Sequence, residues 1–491
     1  MPLATRHSLL AQALAEHALL SLRICDPACG SGHFLLAAAR RLGRELARIR
    51  SAQDEPAPEL VRAAIRDVIT HCIYGVDKNP LAVDLCKVAL WIEAHTEGKP
   101  LTFLDHRIRC GDSLLGVFDL AALKQGIPDD AFKPVSLDDK TAALAAKRQN
   151  RDERSGQRTL RLEPAQQLHH LLEVARQLDQ LPDDRPEHIR AKQQLYHSIC
   201  HSPEAIRQRT AANLWTAAFF QPLASRKQQT ANPAPLITTG ALADWLDGQP
   251  IDARLTAHAN ARAAQLRFFH WPLEFPEVFV QGGFDVILSN PPWEMLQLDP
   301  REFFAASDRE IASAPNMAAR KRKIEELAKT NPELHRAYQQ EKHATEARQK
   351  FVHGSGRYPL TSYGRINLMA LFAELASQLI NRRGQAGIIV PTGIATDSFN
   401  QHFFAKLNQT GALVSLFDFE NRERIFPAID SRLKFCLLTL RGARSPGFSP
   451  PGDATKFPSP HEPAKAGTTN ATAPAEFAFF LTRTDQLRDP R

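Results

Sequence analysis

Short apolar segments alternate with longer helical segments near the start of this chain, and this alternation constrains the fold more than any other feature. The apolar segments cover residues 22–25, 72–76 and 108–110, and helical periodicity covers residues 34–49, 58–70 and 81–94. Strands that alternate with helices form βαβ units, whose strands lie parallel and are covered by helices on both faces. The sequence therefore predicts an open α/β sheet with mainly parallel strands.

The same alternation returns late in the chain, after a long stretch with helical periodicity alone. Strands are predicted at residues 284–289 and 386–390, helices at 366–381 and 400–407, and a pair of strands at 413–419 and 435–440. Residues 117–283 and about 299–360 have helical periodicity, and are predicted to be insertions in the two halves of the sheet domain, 21–116 and 284–442. Polar linkers are predicted near residues 225–236 and, with the start of a further region, at 443–491.

A glycine-rich turn follows the first predicted strand. Asp26 is followed by Gly30 and Gly32, which allow a small ligand to come close to the backbone. An acid also follows each of the next two predicted strands, Asp77 and Asp112. In open α/β sheets, ligands bind at the carboxyl ends of the strands, where the strand order reverses. The three acids are therefore candidates for one site, and suit a cationic amine, a ribose diol and a heterocyclic amino group in turn.

A nicotinamide dinucleotide fits this turn poorly. Its fingerprint requires a third glycine where this chain has Leu35, and an acid only about 20 residues further on, whereas Asp77 lies much further away. A zwitterionic amino-acid nucleoside suits the three acids better than a pyrophosphate does. The plainer alternative for any one element is a glycine turn that starts a helix, or a loop acid that faces solvent.

A second chemical motif follows the predicted strand at 284–289 and consists of Asn290, Pro291, Pro292 and Trp293. Proline fixes φ and extends the residue before it, so this tip presents acceptors without competing N–H donors. The Asn290 side-chain oxygen and the Pro291 carbonyl can both accept from one NH₂ group, while Trp293 can stack on the ring that carries it. The alternative is a proline turn with a core tryptophan.

Composition sets looser limits. The chain of 491 residues has 61 Lys and Arg against 54 Asp and Glu, a balance that permits a polyanionic partner without requiring one. The seven cysteines have no zinc-ligand spacing and are predicted to be reduced and structural, so no metal site is predicted. The basic run at residues 320–323 is followed by two glutamates and is predicted to be a solvated helix face. With neither a long apolar segment nor a signal-peptide pattern, the chain is expected to be cytoplasmic and to have no membrane partner.

These residues together resemble those of S-adenosylmethionine-dependent N6-adenine DNA methyltransferases of the restriction-modification or phage-defence type. Asp26, Pro27, Ala28, Gly30, Gly32 and Phe34 match the cofactor motif, Asp77 the ribose-binding acid and Asp112 the contact to the cofactor's adenine, while residues 290–293 match the catalytic tetrapeptide. Segments 371–375, 390–392 and 416–419 are similar to later motifs of the family. The resemblance implies a Rossmann-like class I methyltransferase sheet and S-adenosylmethionine as cofactor.

The resemblance also implies double-stranded DNA as the partner, with the target adenine flipped out of the helix and stacked on Trp293. Phe435 is a candidate for a second stacking face, but it is expected to be a core aromatic. Residues 1–20 are predicted to be a helical remnant, and the chain is expected to lack target-recognition and nuclease regions or subunits. The alternatives are another planar amine as substrate, such as cytosine N4, RNA or a protein glutamine, and a non-catalytic fragment that binds cofactor or DNA.

Overall fold

The computed structural model describes residues 3–156, 164–223, 235–427, 429–442 and 475–481, together with residues 483 and 487. The predicted linker at 225–236 and the predicted linker with the start of a further region at 443–491 lie largely outside the described residues. Among the described helices, none is both long and apolar enough to cross a membrane.

A single sheet of eight described strands organises the fold. Its strands are β1 (Ile24–Asp26), β2 (Ile73–Asp77), β3 (Ile108–Cys110), β4 (Phe284–Ser289), β5 (Ile380–Pro391), β6 (Leu413–Glu420), β7 (Lys434–Arg441) and β8 (Glu476–Leu481). Their order is β3-β2-β1-β4-β5-β7-β6-β8. Strands β1 to β5 run parallel, β7 is antiparallel to both β5 and β6, and β8 is parallel to β6. The predicted Rossmann-like α/β sheet is confirmed, including the β6–β7 pair.

The first helices cover the half of the sheet that contains β1 to β3. They are α1 (Leu3–Leu20), α2 (His33–Ser51), α3 (Pro58–Cys72) and α4 (Pro80–Glu93). Proline at the first helical position starts α3 and α4, and the Asn79 side chain caps α4 by accepting from the Leu81 N–H at 3.1 Å. Leu35, Val68 and Leu90 are buried in the core that these helices form against the sheet.

The long helical insertion between β3 and β4 shares a core with the sheet. Its helices are α5 (Ala121–Lys124), α6 (Lys140–Ser155), α7 (Pro164–Gln180), α8 (Pro186–Cys200), α9 (Pro203–Ala217), α10 (Thr239–Leu246), α11 (Ala253–Leu266), α12 (Trp271–Glu274) and α13 (Pro276–Phe279), with a 3₁₀ turn at Asp129–Phe132. Tyr74 of β2 packs edge-on against Phe275 and Phe284, with ring centroids 5.3 and 5.4 Å away. The insertion is therefore part of the same hydrophobic unit as the sheet.

A second helical insertion separates β4 from β5. It contains α14 (Pro300–Phe304), α15 (Arg309–Ala312), α16 (Met317–Thr330) and α17 (Pro332–Gly354), which precede α18 (Leu368–Leu379). Phe304, Ile324 and Tyr338 form a small separate core in this insertion. The remaining helices are α19 (Gly393–Thr396) and α20 (Gln401–Gln409), with 3₁₀ turns at Ser398–Asn400 and Asn421–Glu423.

Two boundaries differ from the sequence prediction. The helix predicted to reach residue 381 ends at Leu379, and β5 begins at Ile380 instead of residue 386. Ile380 already pairs with Phe284, and an irregularity in the register then brings Gln385 beside Val286. The polar residues between them bulge outward, which hides the strand pattern in the sequence. Strand β8, which was not predicted, adds to the edge of the sheet beside β6.

Candidate active site

The predicted site residues lie at the carboxyl ends of four adjacent strands. Asp26 ends β1, Asp77 ends β2, Asp112 follows β3 and Asn290 follows β4 directly. Strand β1 pairs with β2 on one side and with β4 on the other. The chain therefore adds β2 and β3 on one side of β1 and β4 and β5 on the other, so the strand order reverses between β1 and β4. Ligands of doubly wound sheets bind at such a reversal. The fold therefore brings both sequence motifs to one edge.

The glycine turn after β1 takes a conformation that requires glycine. Gly30 and Gly32 have φ values of +52° and +88°, in the left-handed region, and a Cβ on Gly32 would lie 2.7 Å from Cys86 Sγ. The Gly30 N–H donates a hydrogen bond of 2.9 Å to Asp77 Oδ2. This bond connects the glycine turn to the tip of β2. Phe34 lies in the first turn of α2, half-buried and away from the cavity described below.

Asp26 is buried behind the turn, not exposed on its surface. Its Oδ1 atom accepts from the Ala28 N–H at 3.0 Å and from the Ser289 hydroxyl at 2.7 Å. Burial raises the pKa of Asp26 to about 7, although both hydrogen bonds oppose that shift. The carboxyl group thus connects β1 to the end of β4, and does not itself line the cavity.

A cavity of about 310 Å³ opens beside these strand ends. Pro27, Ala28, Asp77, Asp112 and Pro292 line it, as does a further set that was not predicted: Lys78, Asn79, Gly111, Ser113, Leu114, Leu115, Glu294, Leu296, Arg348, Val352, Leu368, Leu371 and Phe372. Asp77 and Asp112 lie at the ends of β2 and β3, Glu294 follows the tip of β4, and α18 contributes apolar side chains. This division suits a ligand with a polar sugar and a flat heterocycle.

Sequence reasoning identified the strand-end residues and missed most of the residues contributed by helices. Leu371 and Phe372 belong to segment 371–375, which is similar to a later motif of the methyltransferase family. That similarity is the signal by which the sequence indicates them. Arg348 and Val352 belong to α17, whose ordinary helical pattern carries no such signal. Gly30, Gly32 and Phe34 do not line the cavity, and the glycines shape it through the turn.

The loop that contains Asp112 is held by backbone and side-chain hydrogen bonds from the first insertion. The Asp112 N–H donates to Arg267 O and the Phe269 N–H donates to Leu115 O, both at 2.7 Å. The Trp271 indole N–H donates to Ser113 O at 3.0 Å. The segment just before β4 therefore fixes the wall of the cavity that follows β3.

His270 adds a further bond to this loop and is neutral. Its Nδ1 atom accepts from the Val117 N–H at 3.0 Å, and its Nε2 atom lies 2.8 Å from Asn213 Oδ1 on α9. Burial lowers the pKa of His270 to about 3, with help from the charges of Arg209 and Arg357. A neutral ring with one donor and one acceptor matches both partners.

The segment after α17 holds the same loop from the other side. Arg357 is buried and donates to Ser113 O at 2.6 Å and to Gly116 O at 3.2 Å. The Tyr358 hydroxyl donates to Leu114 O at 2.9 Å. Both insertions thus contribute to the position of one short loop of the cavity.

The tetrapeptide at the tip of β4 contains an unpaired buried acceptor. Asn290 Oδ1 is buried and has no hydrogen-bond partner among the described residues. Pro291 is buried, whereas Pro292 is exposed and lines the cavity. A buried acceptor without a donor costs about 1–3 kcal/mol, so an atom of this kind suits a ligand that supplies N–H groups.

Trp293 is half-buried and held in place from two sides. Its indole N–H donates to Ile389 O at 3.3 Å, and its ring stacks on Phe435 with centroids 6.2 Å apart and planes 25° apart. Phe435 is buried and stacks in turn on Phe419 at 5.3 Å. Phe435 is therefore a core aromatic, as expected, and its ring packs against the ring of Trp293.

Two family models match this chain. The model of the Eco57I restriction-modification methylase matches residues 71–318, and the model of the MmeI DNA-methyltransferase domain matches residues 5–106. The first includes Asp77, Asp112 and the tetrapeptide, and the second includes the glycine turn.

Individual relatives agree with these families. The chain is 25% identical over 303 residues to a type II restriction enzyme and methyltransferase of Methanocaldococcus jannaschii, covering 57% of this chain and 23% of that protein. It is 38% identical over 85 residues to the adenine-specific methyltransferase PglX of Streptomyces coelicolor, covering 17% of this chain and 6% of that protein. The chain thus spans less than a quarter of the length of either relative.

Among solved structures, the chain matches that of a nuclease-deletion mutant of the type ISP restriction-modification enzyme LlaGI in complex with a DNA substrate mimic. It has 9% sequence identity and a TM-score of 0.32, and the match covers 87% of this chain and 21% of that one.

The sheet order, with its antiparallel strand between β5 and β6, and the position of both motifs at the reversal point define a class I, Rossmann-like methyltransferase. The match over half of its length shows that the chain belongs to the Eco57I restriction-modification methylase family.

Proposed function

We propose that this chain is the methyltransferase part of an adenine-specific DNA methyltransferase, which transfers a methyl group from S-adenosylmethionine to the N6 amine of adenine. One observation carries the proposal. Asn290 Oδ1 is a buried acceptor without a partner among the described residues, and it lies at the tip of β4, two positions before Pro292, which lines a cavity that suits a nucleoside. The names of the relatives, a restriction enzyme and methyltransferase and an adenine-specific methyltransferase, agree with it.

The residues of the cavity fit S-adenosylmethionine. Asp77 would accept from the ribose hydroxyls, and Asp112 from the amino group of the cofactor's adenine. Pro292 and Phe372 would pack on the purine ring, and the backbone of the glycine turn would lie against the amino-acid part. When bound, the cofactor supplies a sulfonium methyl group that is already activated, so the protein mainly has to orient the acceptor and exclude water.

Asn290 would act directly on the target amine. The exocyclic nitrogen of adenine is a poor nucleophile because its lone pair is delocalised into the ring. Two acceptors, Asn290 Oδ1 and the Pro291 carbonyl, would take its two N–H groups and favour a tetrahedral nitrogen. They would also stabilise the positive charge that develops on nitrogen during methyl transfer. Entry of the base would displace the groups that now shield Oδ1.

Trp293 would hold the target base. Adenine inside a duplex is out of reach, so the base has to flip into the site. Stacking on an aromatic side chain contributes about 1–3 kcal/mol per base. Because Ile389 and Phe435 already fix the indole, little conformational freedom would be lost when the base binds.

The proposal extends to the biological setting. The chain would work in the cytoplasm on double-stranded DNA, as part of a restriction-modification or phage-defence system. Residues 21–116 would be the cofactor-binding half and 284–442 the catalytic half, with target-recognition and nuclease functions supplied by other regions or subunits. The family to which the chain belongs supports this setting.

The test is methyl transfer followed by identification of the product. The chain is incubated with S-adenosylmethionine carrying a tritiated methyl group and with double-stranded DNA of mixed sequence, and nucleosides from the digested DNA are analysed by mass spectrometry. The proposal predicts N6-methyladenine. N4-methylcytosine, or label in RNA or a glutamine-containing protein instead of DNA, would assign another planar amine. Cofactor binding without any transfer would indicate a non-catalytic fragment.

A further inference from the structure

The second insertion contributes a positively charged side chain to the cavity. Helix α17 places Arg348 and Val352 on the cavity wall. The helix is fixed there: the Gln349 side chain donates to Leu296 O at 2.6 Å, and Phe351 is buried against Phe219, with ring centroids 5.2 Å apart. The position of Arg348 is therefore determined by packing on both sides of it.

Arg348 has no hydrogen-bond or ion-pair partner among the residues that the structure describes. Its Nε atom is buried without a hydrogen-bond partner in the part of the chain that the structure describes. The Nε atom of Arg357 is likewise unpaired, but the terminal nitrogens of that guanidinium donate to two carbonyls of the Asp112 loop, and those of Arg348 have no such acceptor among the described residues. A buried, unsatisfied N–H of a cation is costly, so the side chain is better explained by a ligand than by the fold.

Arg348 and Asp112 line the same cavity. Burial raises the pKa of Asp112, and the charges of Lys78, Arg348 and Arg357 oppose that shift. The cavity wall thus contains an acceptor, Asp112, and a donor, Arg348. Adenine presents the complementary pair on one edge, an NH₂ donor beside a ring-nitrogen acceptor.

We propose that Arg348 is a cofactor-binding residue that donates a hydrogen bond to a ring nitrogen of the cofactor's adenine, beside the amino group that Asp112 accepts. This inference rests on the proposed function, since it assumes that the cavity binds S-adenosylmethionine. It assigns to the second insertion a direct part in the cofactor site. Arg348 and Asp112 together would distinguish adenine from a purine with a carbonyl at the same position.

The experiment separates the purine from the amino-acid part of the ligand. Binding of S-adenosylhomocysteine and of 5′-methylthioadenosine, which has the adenine and ribose but no amino acid, is measured by calorimetry for the unmodified chain, Arg348→Met and Arg336→Met. Arg336 is an exposed arginine of the same helix and provides the matched control. Circular dichroism and the urea midpoint establish that each variant is folded, and Arg348→Leu, which also lacks an N–H donor, replaces the methionine variant if that one unfolds.

Arg348→Met is expected to weaken both ligands by a similar factor of about tenfold to a hundredfold, because it removes a hydrogen bond from a charged donor. Arg336→Met is expected to leave both affinities unchanged. A loss confined to S-adenosylhomocysteine would place Arg348 on the amino-acid carboxylate and overturn the inference, as would unchanged binding of both ligands. If the unmodified chain binds neither ligand, the proposed function itself fails, and this inference with it.

Discussion

Ser289 donates a hydrogen bond of 2.7 Å to Asp26, and so joins residues 263 positions apart in the chain. Asp26 begins the glycine turn on β1, and Ser289 is the last residue before the tetrapeptide on β4. The bond lies between two buried side chains at the point where the strand order reverses. It sets the distance between the part of the site that would hold the cofactor and the part that would hold the target base.

Ser289→Ala is expected to destabilise the fold. The variant leaves the buried Asp26 carboxyl group with one hydrogen bond fewer, which costs about 1–3 kcal/mol in the free energy of unfolding. The measurement is urea denaturation at neutral pH, with Ser307→Ala, an exposed serine, as the control. An unchanged midpoint for Ser289→Ala would mean that this hydrogen bond does not hold the two strand ends together.

Asp77→Ala is expected to weaken cofactor binding. Asp77 lines the cavity and also accepts from the backbone N–H groups of Gly30 and Asn79, at 2.9 and 2.7 Å. Its loss would remove the ribose acceptor and loosen the glycine turn, with an expected fall in affinity of about tenfold or more. Calorimetry with S-adenosylhomocysteine measures it. The exposed Asp84 of α4 supplies the control, and equal affinities for the two alanine variants would remove Asp77 from the site.

Arg357→Met is expected to disturb the loop that follows β3. The change leaves two carbonyls, Ser113 O and Gly116 O, without their guanidinium donor, and hydrogen bonds from charged donors contribute about 1.5–3 kcal/mol each. The expected result is a lower urea midpoint together with weaker binding of S-adenosylhomocysteine. Saturating ligand should recover part of the lost stability. A variant that binds normally would show that the loop is positioned without Arg357.

Glu374 gives the fold a pH dependence that can be measured. This residue of α18 is buried, accepts from the Thr361 hydroxyl at 2.6 Å, and has its pKa raised by burial from 4.5 to about 7. The folded state therefore holds a proton that the unfolded state releases above pH 4.5. The contribution of this proton to the free energy of unfolding is complete below about pH 4.5. It falls by about 1.4 kcal/mol per pH unit as the pH rises toward 7.

Glu374→Gln keeps the shape of this side chain and removes its titration. The free energy of unfolding of the unmodified chain is expected to fall more steeply between pH 5 and 7 than that of the variant, by about 1.4 kcal/mol per pH unit at most. Urea denaturation at several pH values provides the comparison. Parallel slopes for the two proteins would show that Glu374 is ionised in the folded state across this range.

The part of the site carried by strand ends was predictable from sequence. An apolar run followed at once by Asp26, Asp77 or Asn290 fixes both the element and the edge at which the polar residue lies, because parallel strands of one sheet end on the same side. Local pattern was sufficient there. The boundary between α18 and β5 was not predictable in the same way, since the polar residues after Ile380 bulge out of the sheet.

The residues that the two insertions contribute to the candidate site are positioned by tertiary contacts, which no local sequence pattern shows. Arg348 belongs to a helix with an ordinary mixture of polar and apolar residues, and only the folded chain places it at the cavity. Arg320 is a similar case, in a run predicted to be solvated. It is buried and donates to Ile311 O at 3.0 Å and Ala314 O at 2.9 Å, so it stabilises the second insertion.

Asn290 is proposed to activate the target amine, and methyl transfer by Asn290→Ala tests this claim most directly. The variant and the unmodified chain are compared with tritiated S-adenosylmethionine and DNA, while calorimetry follows binding of S-adenosylhomocysteine. The rate of N6-methyladenine formation is expected to fall by about a hundredfold to a thousandfold, because the variant loses a hydrogen bond made in the transition state. The affinity for the cofactor is expected to stay unchanged, because the cofactor cavity is intact. Turnover by Asn290→Ala equal to that of the unmodified chain would contradict the claim.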